Sequence, residues 1–275
     1  MSLIRGDRTV VEYVGPSGRV YPLAGPKQGS MGVQLLESPG GWLGPPGSAL
    51  TDGAARQHGK DYVGTTVDPL EHDLTFDVWG RTAHDWAVVN RMWLDDWRFD
   101  KQGFLRHYTS DFGWRWIAVR KGRDHRGVNR KDGRLIKVAR YQQVALSEFP
   151  YFRSPDYEVT WSQTGTLARL PLWNGGDIDV WPQLTLTGQC AFRIKWGANN
   201  YETPVLAAGE TVVVSSEPFE QSIRSNLRNL LPALKGKYFQ EPLRANAVTE
   251  VTVDIVSGTG AQIQARVPQL FERPH

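Results

Sequence analysis

A mainly β protein of two domains, with a single α-helix in the first, is the fold this chain of 275 residues predicts. Twenty-eight Gly and seventeen Pro punctuate a sequence that is 40% hydrophobic, so its apolar runs are short and its turns dense. Most of those runs alternate with period two, as half-buried strands do, and only residues 83–97 repeat apolar positions at helical spacing.

The chain opens with a hairpin, Thr9 to Val14 and Arg19 to Leu23, turned by Gly15-Pro16-Ser17-Gly18. Residues 37–60 are so rich in Gly and Pro that they predict a long loop, of the kind that meets a partner. His72 to Gly80 alternates, with Leu74, Phe76 and Val78 on one face, and hands over to the helix. Thr82 caps that helix and Asp85 closes a capping box. Trp86, Val89, Asn90, Trp93, Leu94 and Trp97 share one helical face; Val88, Arg91, Met92 and Asp95 share the other. Two readings of the Trp stripe are open, a core and an interface, because Trp is enriched at interface hot spots. Phe104 to Thr109 and Trp114 to Arg120 predict two strands, and Arg134 to Phe149 one long strand or two broken ones.

A boundary falls near residues 152–158, at Ser154-Pro155-Asp156. Beyond it come short runs at sandwich spacing: Leu167–Leu172, Gln183–Gly188, Cys190–Trp196, Tyr201–Leu206, Glu210–Ser215, Val248–Val256 and Gln262–Val267. Asn174-Gly175-Gly176-Asp177 supplies a turn with positive φ available, Pro182 starts an edge strand, and Leu184 and Leu186 face inward while Gln183, Thr185 and Thr187 face out. The domains are therefore 1–152 and 153–275.

Catalytic constellations are not found. There is no His-Glu-x-x-His, Gly-x-Ser-x-Gly, phosphate-cradling Gly loop with Lys, or EF-hand spacing. Six scattered histidines lack metal-ligand spacing, and the sole cysteine, Cys190, rules out an intrachain disulfide and reads as a small core residue. No catalytic, cofactor or metal residue is assigned. Asp177 and Asp179 read as turn formers rather than a glycosidase pair. The N-terminus has no long apolar stretch and no run approaches a membrane span, which predicts a protein made and kept in the cytosol until released, without membrane insertion. Net charge is +3, but ten Lys or Arg between Arg115 and Arg140 against Asp124 and Asp132 give that window about +8. It reads as a solvated loop or a contact with an acidic neighbour, and no interleaved aromatics point to sequence-specific nucleic-acid binding.

The order Asn, Gly-Asp, Pro, then apolar-x-apolar-x-Gly, from Asn174 to Gly188, resembles the turn opening the C-terminal domain of siphophage distal tail proteins. Three further stretches keep the resemblance in order along residues 70–270. These are the strand and Trp-rich helix followed by Gly113-Trp114-Arg115-Trp116-Ile117-Ala118-Val119-Arg120, the Ala145 to Phe152 run with Glu148 and Pro150, and Leu206 to Val214 with Asn246 to Val253. Phe149 departs from the family pattern by sitting between the acid and the proline.

The resemblance implies a structural virion protein of a long non-contractile tail. Its N-terminal domain would be a β-sandwich-like ring former and its C-terminal domain a galectin-like β-sandwich. Six copies would close a ring at the distal end of the tail, assembled in the host cytoplasm, with a central channel for DNA. Its partners would be the tail-tube protein, the tail-tip hub protein and the tape-measure protein in the channel. Candidate interface residues are Trp86, Val89, Trp93, Trp97 and Trp79, with the loop at 37–60 as a further grip on a neighbour. The alternative is a carbohydrate-binding module or adhesin reading host glycans, with Trp196 and Tyr201 as exposed contacts.

Overall fold

A computed structural model of the chain describes residues 9–37, 39–53, 58–128, 131–218, 220–230, 232 and 236–275. It is mainly β and divides into two compact units, Met1–Arg153 with Glu272–His275, and Ser154–Phe271.

In the first unit, β1 (Val10–Val14) and β2 (Val20–Ala24) form the expected hairpin, with Gly18 at φ +83 in its turn. After β3 (Val33–Leu35), the stretch expected to be a long loop contains a second hairpin, β4 (Gly47–Asp52) and β5 (Asp61–Val67). Its Gly and Pro sit mostly before the strands, so their density hid a β-branched run, Val63 to Val67, that can pair. β6 (Leu70–Trp79) alternates as predicted and leads into α1 (Ala83–Asp95). β7 (Gly103–Thr109), β8 (Gly113–Lys121) and the two-residue β9 (Arg126–Gly127) follow. The predicted strand from Arg134 begins instead as a single helical turn, α2 (Gly133–Ile136), capped by Asp132 and ended by Lys137 at φ +57, before β10 (Val138–Ser147).

Two antiparallel sheets result, β2–β1–β7–β8 and β3–β6–β10, the second flanked by β9 and the end of β8. β6 and β10 pair along their whole length, from Leu70 with Ser147 to Trp79 with Val138. Ten residues at about 3.3 Å each make that ladder about 30 Å long.

The second unit contains β11 (Phe152–Ser162), whose first two residues precede the boundary, then β12 (Leu167–Asn174), β13 (Gln183–Trp196), β14 (Asn199–Glu202), β15 (Thr211–Ser215), β16 (Ser222–Ser225) and β17 (Ala247–Phe271). Where the sequence suggested separate strands, β13 and β17 run on and serve two layers. Their Gln183–Thr187 and Gln262–Arg266 segments join β15, β16 and β11; their Phe192–Lys195 and Thr252–Ile255 segments join β12 and β14.

The crossing is made by glycine. Gly188 (φ +113) sits at one break in register, and Gly258 (φ +95), paired with Cys190, lies between that break and the next; a Cβ on Gly258 would stand 1.9 Å from the Gln189 carbonyl oxygen. The inward residues of both layers, Leu170, Leu184, Leu186, Phe192, Ile194, Val253 and Ile263 among them, form one core. Asn174 anchors the opening turn by donating its side-chain amide to the carbonyls of Ile178 (2.9 Å), Leu243 (3.2 Å) and Arg244 (3.1 Å). Gly175 and Gly176 are needed there for closeness rather than for positive φ: side chains on them would meet the Trp173 ring and the Leu270 backbone.

Candidate assembly surfaces

The helix is built as its sequence predicts. Thr82 Oγ1 accepts from the Asp85 N–H at 3.0 Å, and the Asp85 carboxylate accepts from the Thr82 N–H at 3.2 Å. Its aromatic stripe is consumed by folding. Trp93 lies fully buried, edge-on to Tyr13, Tyr21 and Phe76 at centroid distances of 5.6, 5.1 and 4.8 Å, and Trp97 stacks on Tyr13 at 4.1 Å.

Trp86 is also buried, with Gly133 of α2 against its ring. Of the five residues expected to meet a neighbour, Trp86, Trp93 and Trp97 are buried in the core of the first unit. Val89 is partly covered and packs on Gly32, and only Trp79 stands exposed. The stripe turns inward because Tyr13 of β1, Tyr21 of β2 and Phe76 of β6 present their rings to Trp93. Arg91 and Asp95 take the solvent side.

Just past the helix, Asp96 ties the N-terminal hairpin down. Its carboxylate accepts from the Tyr21 hydroxyl (2.7 Å), the Arg19 guanidinium (3.0 Å) and the Ser17 N–H (3.3 Å), while its carbonyl accepts from the Tyr13 hydroxyl (2.6 Å). Burial pushes this carboxyl up, yet the Ser17, Tyr21 and Arg19 donors outweigh burial and hold it below the usual carboxylate range. Both tyrosines are pushed up, first by burial; for Tyr13 the Asp96 charge comes next, and for Tyr21 its hydrogen bond to Asp96 and then the Asp96 charge. Gly15 allows the approach, since a Cβ there would stand 2.5 Å from Asp96 Cγ.

The β4–β5 hairpin is the opposite kind of structure. Every residue of β4, and every residue of β5 except Gly64, is exposed, and Tyr62 and Val63 keep 68% and 66% of their surface in solvent. Its root, in contrast, is clamped. The Trp42 ring meets His107 edge-on at 4.8 Å, and the Leu43 carbonyl accepts from Arg273 Nε at 3.0 Å. His107 Nδ1 lies 3.1 Å from the Pro274 carbonyl, and Arg115 donates to the Arg273 carbonyl at 2.9 Å. The last four residues thus hold the base of the arm, although the sequence reading carried the second domain through residue 275.

The basic window splits in two. Arg120 pairs with Glu148, Lys121 with Asp124, Arg123 with Glu71 and Arg140 with Asp77, so these cations are answered within the fold. Arg126, Lys131, Arg134 and Lys137 make no ion pair among the described residues. The last three surround α2, whose Leu135 is 79% exposed, with Ile136, Val88 of α1 and Trp79 also open to solvent. This apolar and basic corner adjoins the Trp79–Val138 end of the β6–β10 ladder, whereas β5 runs directly into the Leu70–Ser147 end.

The residues expected to stack on sugar do not stand exposed. Trp196 and Tyr201 retain 3% of their surface each, packed on Phe239 at 5.2 and 4.0 Å, and Trp196 Nε1 donates to the Glu241 carbonyl at 2.8 Å. Alternation had set both on the core side of their strands. Asp179 accepts from the Ala245 N–H and from Arg244, in keeping with a turn former. Cys190 is buried with its thiol pushed up by burial. Among the described residues no group of His, Cys, Asp and Glu is placed to hold a metal ion, and no helix is long and apolar enough to cross a membrane.

No family model and no curated protein matches this chain. Solved structures do. The SPP1 Dit protein, described as a paradigm of hub adsorption apparatus in phages infecting Gram-positive hosts, matches with a TM-score of 0.63 at 13% identity, over 96% of this chain and 99% of that one. A chain of the phage P2 baseplate in its activated conformation with Ca matches with a TM-score of 0.50 at 8% identity, over 96% and 98% of the two chains. The Sr form of that baseplate matches with a TM-score of 0.50 at 7% identity, over 95% and 98%. The chain shares the fold of these proteins along nearly its whole length, and the resemblance expected from the sequence is met at that level.

Proposed function

We propose that this chain is a structural protein of a phage tail tip, a distal tail protein in a long non-contractile tail. The observation that carries the reading is the full-length match to SPP1 Dit, in which both units take part. The first unit forms a ring of six copies, and the second, a galectin-like sandwich, projects from it. The ring joins the tail-tube protein to the tail-tip hub and leaves a channel that the tape-measure protein occupies and DNA later crosses. Assembly takes place in the host cytoplasm, and the protein works in the virion.

The β4–β5 arm supports this reading independently. An isolated two-stranded hairpin is marginal in water, and one with exposed Leu50, Tyr62, Val63 and Val67 is suited to be completed by another chain. The test is light scattering behind a sizing column over a range of concentrations, with negative-stain imaging of the largest species. The expected result is a ring with an open centre and a mass near that of six 30.9 kDa chains, about 185 kDa. A chain that stays monomeric at every concentration and does not bind purified tail tubes overturns the proposal.

A further inference from the structure

We infer that the β4–β5 arm of one copy docks on the α1–α2 corner of the next, with Asp52 and Asp61 of the arm meeting Lys131, Arg134 and Lys137. The inference rests on the ring reading and names the two surfaces that would close the ring. Three observations point to this pairing.

The first is charge. Asp52 and Asp61 face each other directly across the arm's ladder and make no ion pair among the described residues. Like charges in that position destabilise an isolated hairpin, and a cationic neighbour removes the penalty. The corner carries such cations, which have found no acid in their own fold although four others of the same window have.

The second is apolar surface. Leu50, Tyr62 and Val63 on the arm, and Leu135, Ile136 and Val88 at the corner, are large side chains left in solvent on elements that are otherwise locally ordered. Joining them buries both sets, with the charges at the rim.

The third is position. The arm leaves from the Leu70–Ser147 end of the β6–β10 ladder and the corner lies at the Trp79–Val138 end, about 30 Å away. Strands of six and seven residues reach only about 20 Å, too short for the arm to bring Asp52 and Asp61 to the corner of its own subunit. Two different patches at opposite ends of one subunit are what a head-to-tail contact requires, and repetition of such a contact closes a ring.

The test uses the full chain. Reversal of the arm (Asp52→Lys with Asp61→Lys) or of the corner (Arg134→Glu with Lys137→Glu) is expected to lower the assembled fraction, read by light scattering, by at least about tenfold at fixed concentration. All four substitutions together restore it, because the attraction is re-created with its sign exchanged. Circular dichroism and melting temperature establish that each variant folds. In a second measurement, Asp61→Cys and Arg134→Cys chains are mixed and oxidised. A covalent dimer formed only in the mixture is expected, since the native Cys190 is buried.

Assembly that is indifferent to both reversals, or folded four-fold variants that stay apart, overturns the docking. If the native chain assembles but neither charge nor cross-link responds, the docking falls and the ring reading stands. If the native chain does not assemble and the mixed cysteine variants do not cross-link, both fall.

Discussion

The β13–β17 ladder and the β4–β5 ladder are both antiparallel, both interrupted by a register shift, and physically opposite. Along β13 and β17 the inward residues of both layers are buried in one core. Along β4 and β5 none is buried, and only Gly64 is partly covered. Backbone pairing alone therefore accounts for neither. The first ladder is held by apolar burial within its own unit, and the second has only its clamped root until something covers it. One sequence can thus contain strands written for folding and strands written for meeting another chain.

Substitutions of graded cost sharpen that contrast. The largest effect is expected at Trp93→Ala, which empties the centre of the aromatic cluster of the first unit and should cost about 3–5 kcal/mol, read as a lower midpoint in urea denaturation. An equally stable Trp93→Ala chain would mean that the helix, like the arm, is not held by its own unit. Next comes Gly258→Val at the bend between layers, where the residue sits at φ +95 against the Gln189 carbonyl. More than about 1 kcal/mol should be lost, with the transition of the second unit affected selectively in hydrogen exchange. A neutral outcome would show that the bend relaxes freely.

Acid should separate the two units without any mutation. Burial pushes His72 down to about 4, the Gly40 carbonyl partly opposing it. Burial and then the Lys121 charge push His125 down to about 4 as well, against Asp124 and Gln143. In the unfolded chain both protonate near 6.5, so between pH 6.5 and about 4 the unfolded state binds more protons and the first unit loses stability as pH falls. Melting curves across this window should fall for the native chain and fall less steeply in His72→Gln, where His125 still titrates. The second unit has no His among its residues, so its protection factors, corrected for the pH dependence of intrinsic exchange, report no such change. The smallest effect on stability is expected at Tyr62→Ser with Val63→Ser, within about 0.5 kcal/mol because neither side chain is buried. The same pair should abolish the assembled species in light scattering, and a large loss of stability with intact assembly would reverse the assignment of the arm.

Much of this was legible along the chain. Thr82 and Asp85 announced the helix start, and alternation set Leu74, Phe76, Val78, Leu184 and Leu186 on buried faces, where they lie. The Trp stripe was visible as a stripe, but whether it met a core or a neighbour depended on Tyr13, Tyr21 and Phe76, which come from distant strands. The arm was missed because Pro39 to Gly47 dominated the composition of its segment, and Val63 to Val67 was the signal available for it. Trp196 and Tyr201 were visible as aromatics on strands, and the same alternation that places their neighbours would have placed them inside.

The amino-acid sequence by itself determined the β class, the helix capped by Thr82, the turn at Asn174 and the alternation that sorts inward from outward residues. These depend on φ/ψ preference, local hydrogen bonds and periodicity, all of which act over a few residues. Tertiary structure alone decided that β13 and β17 each serve two layers, that the last four residues clamp the arm, and that four cations of the basic window are paired with acids while Lys131, Arg134 and Lys137 make no ion pair among the described residues. Those outcomes turn on which distant groups come within contact distance, and a free cation differs from a paired one only in where the nearest carboxylate finally lies.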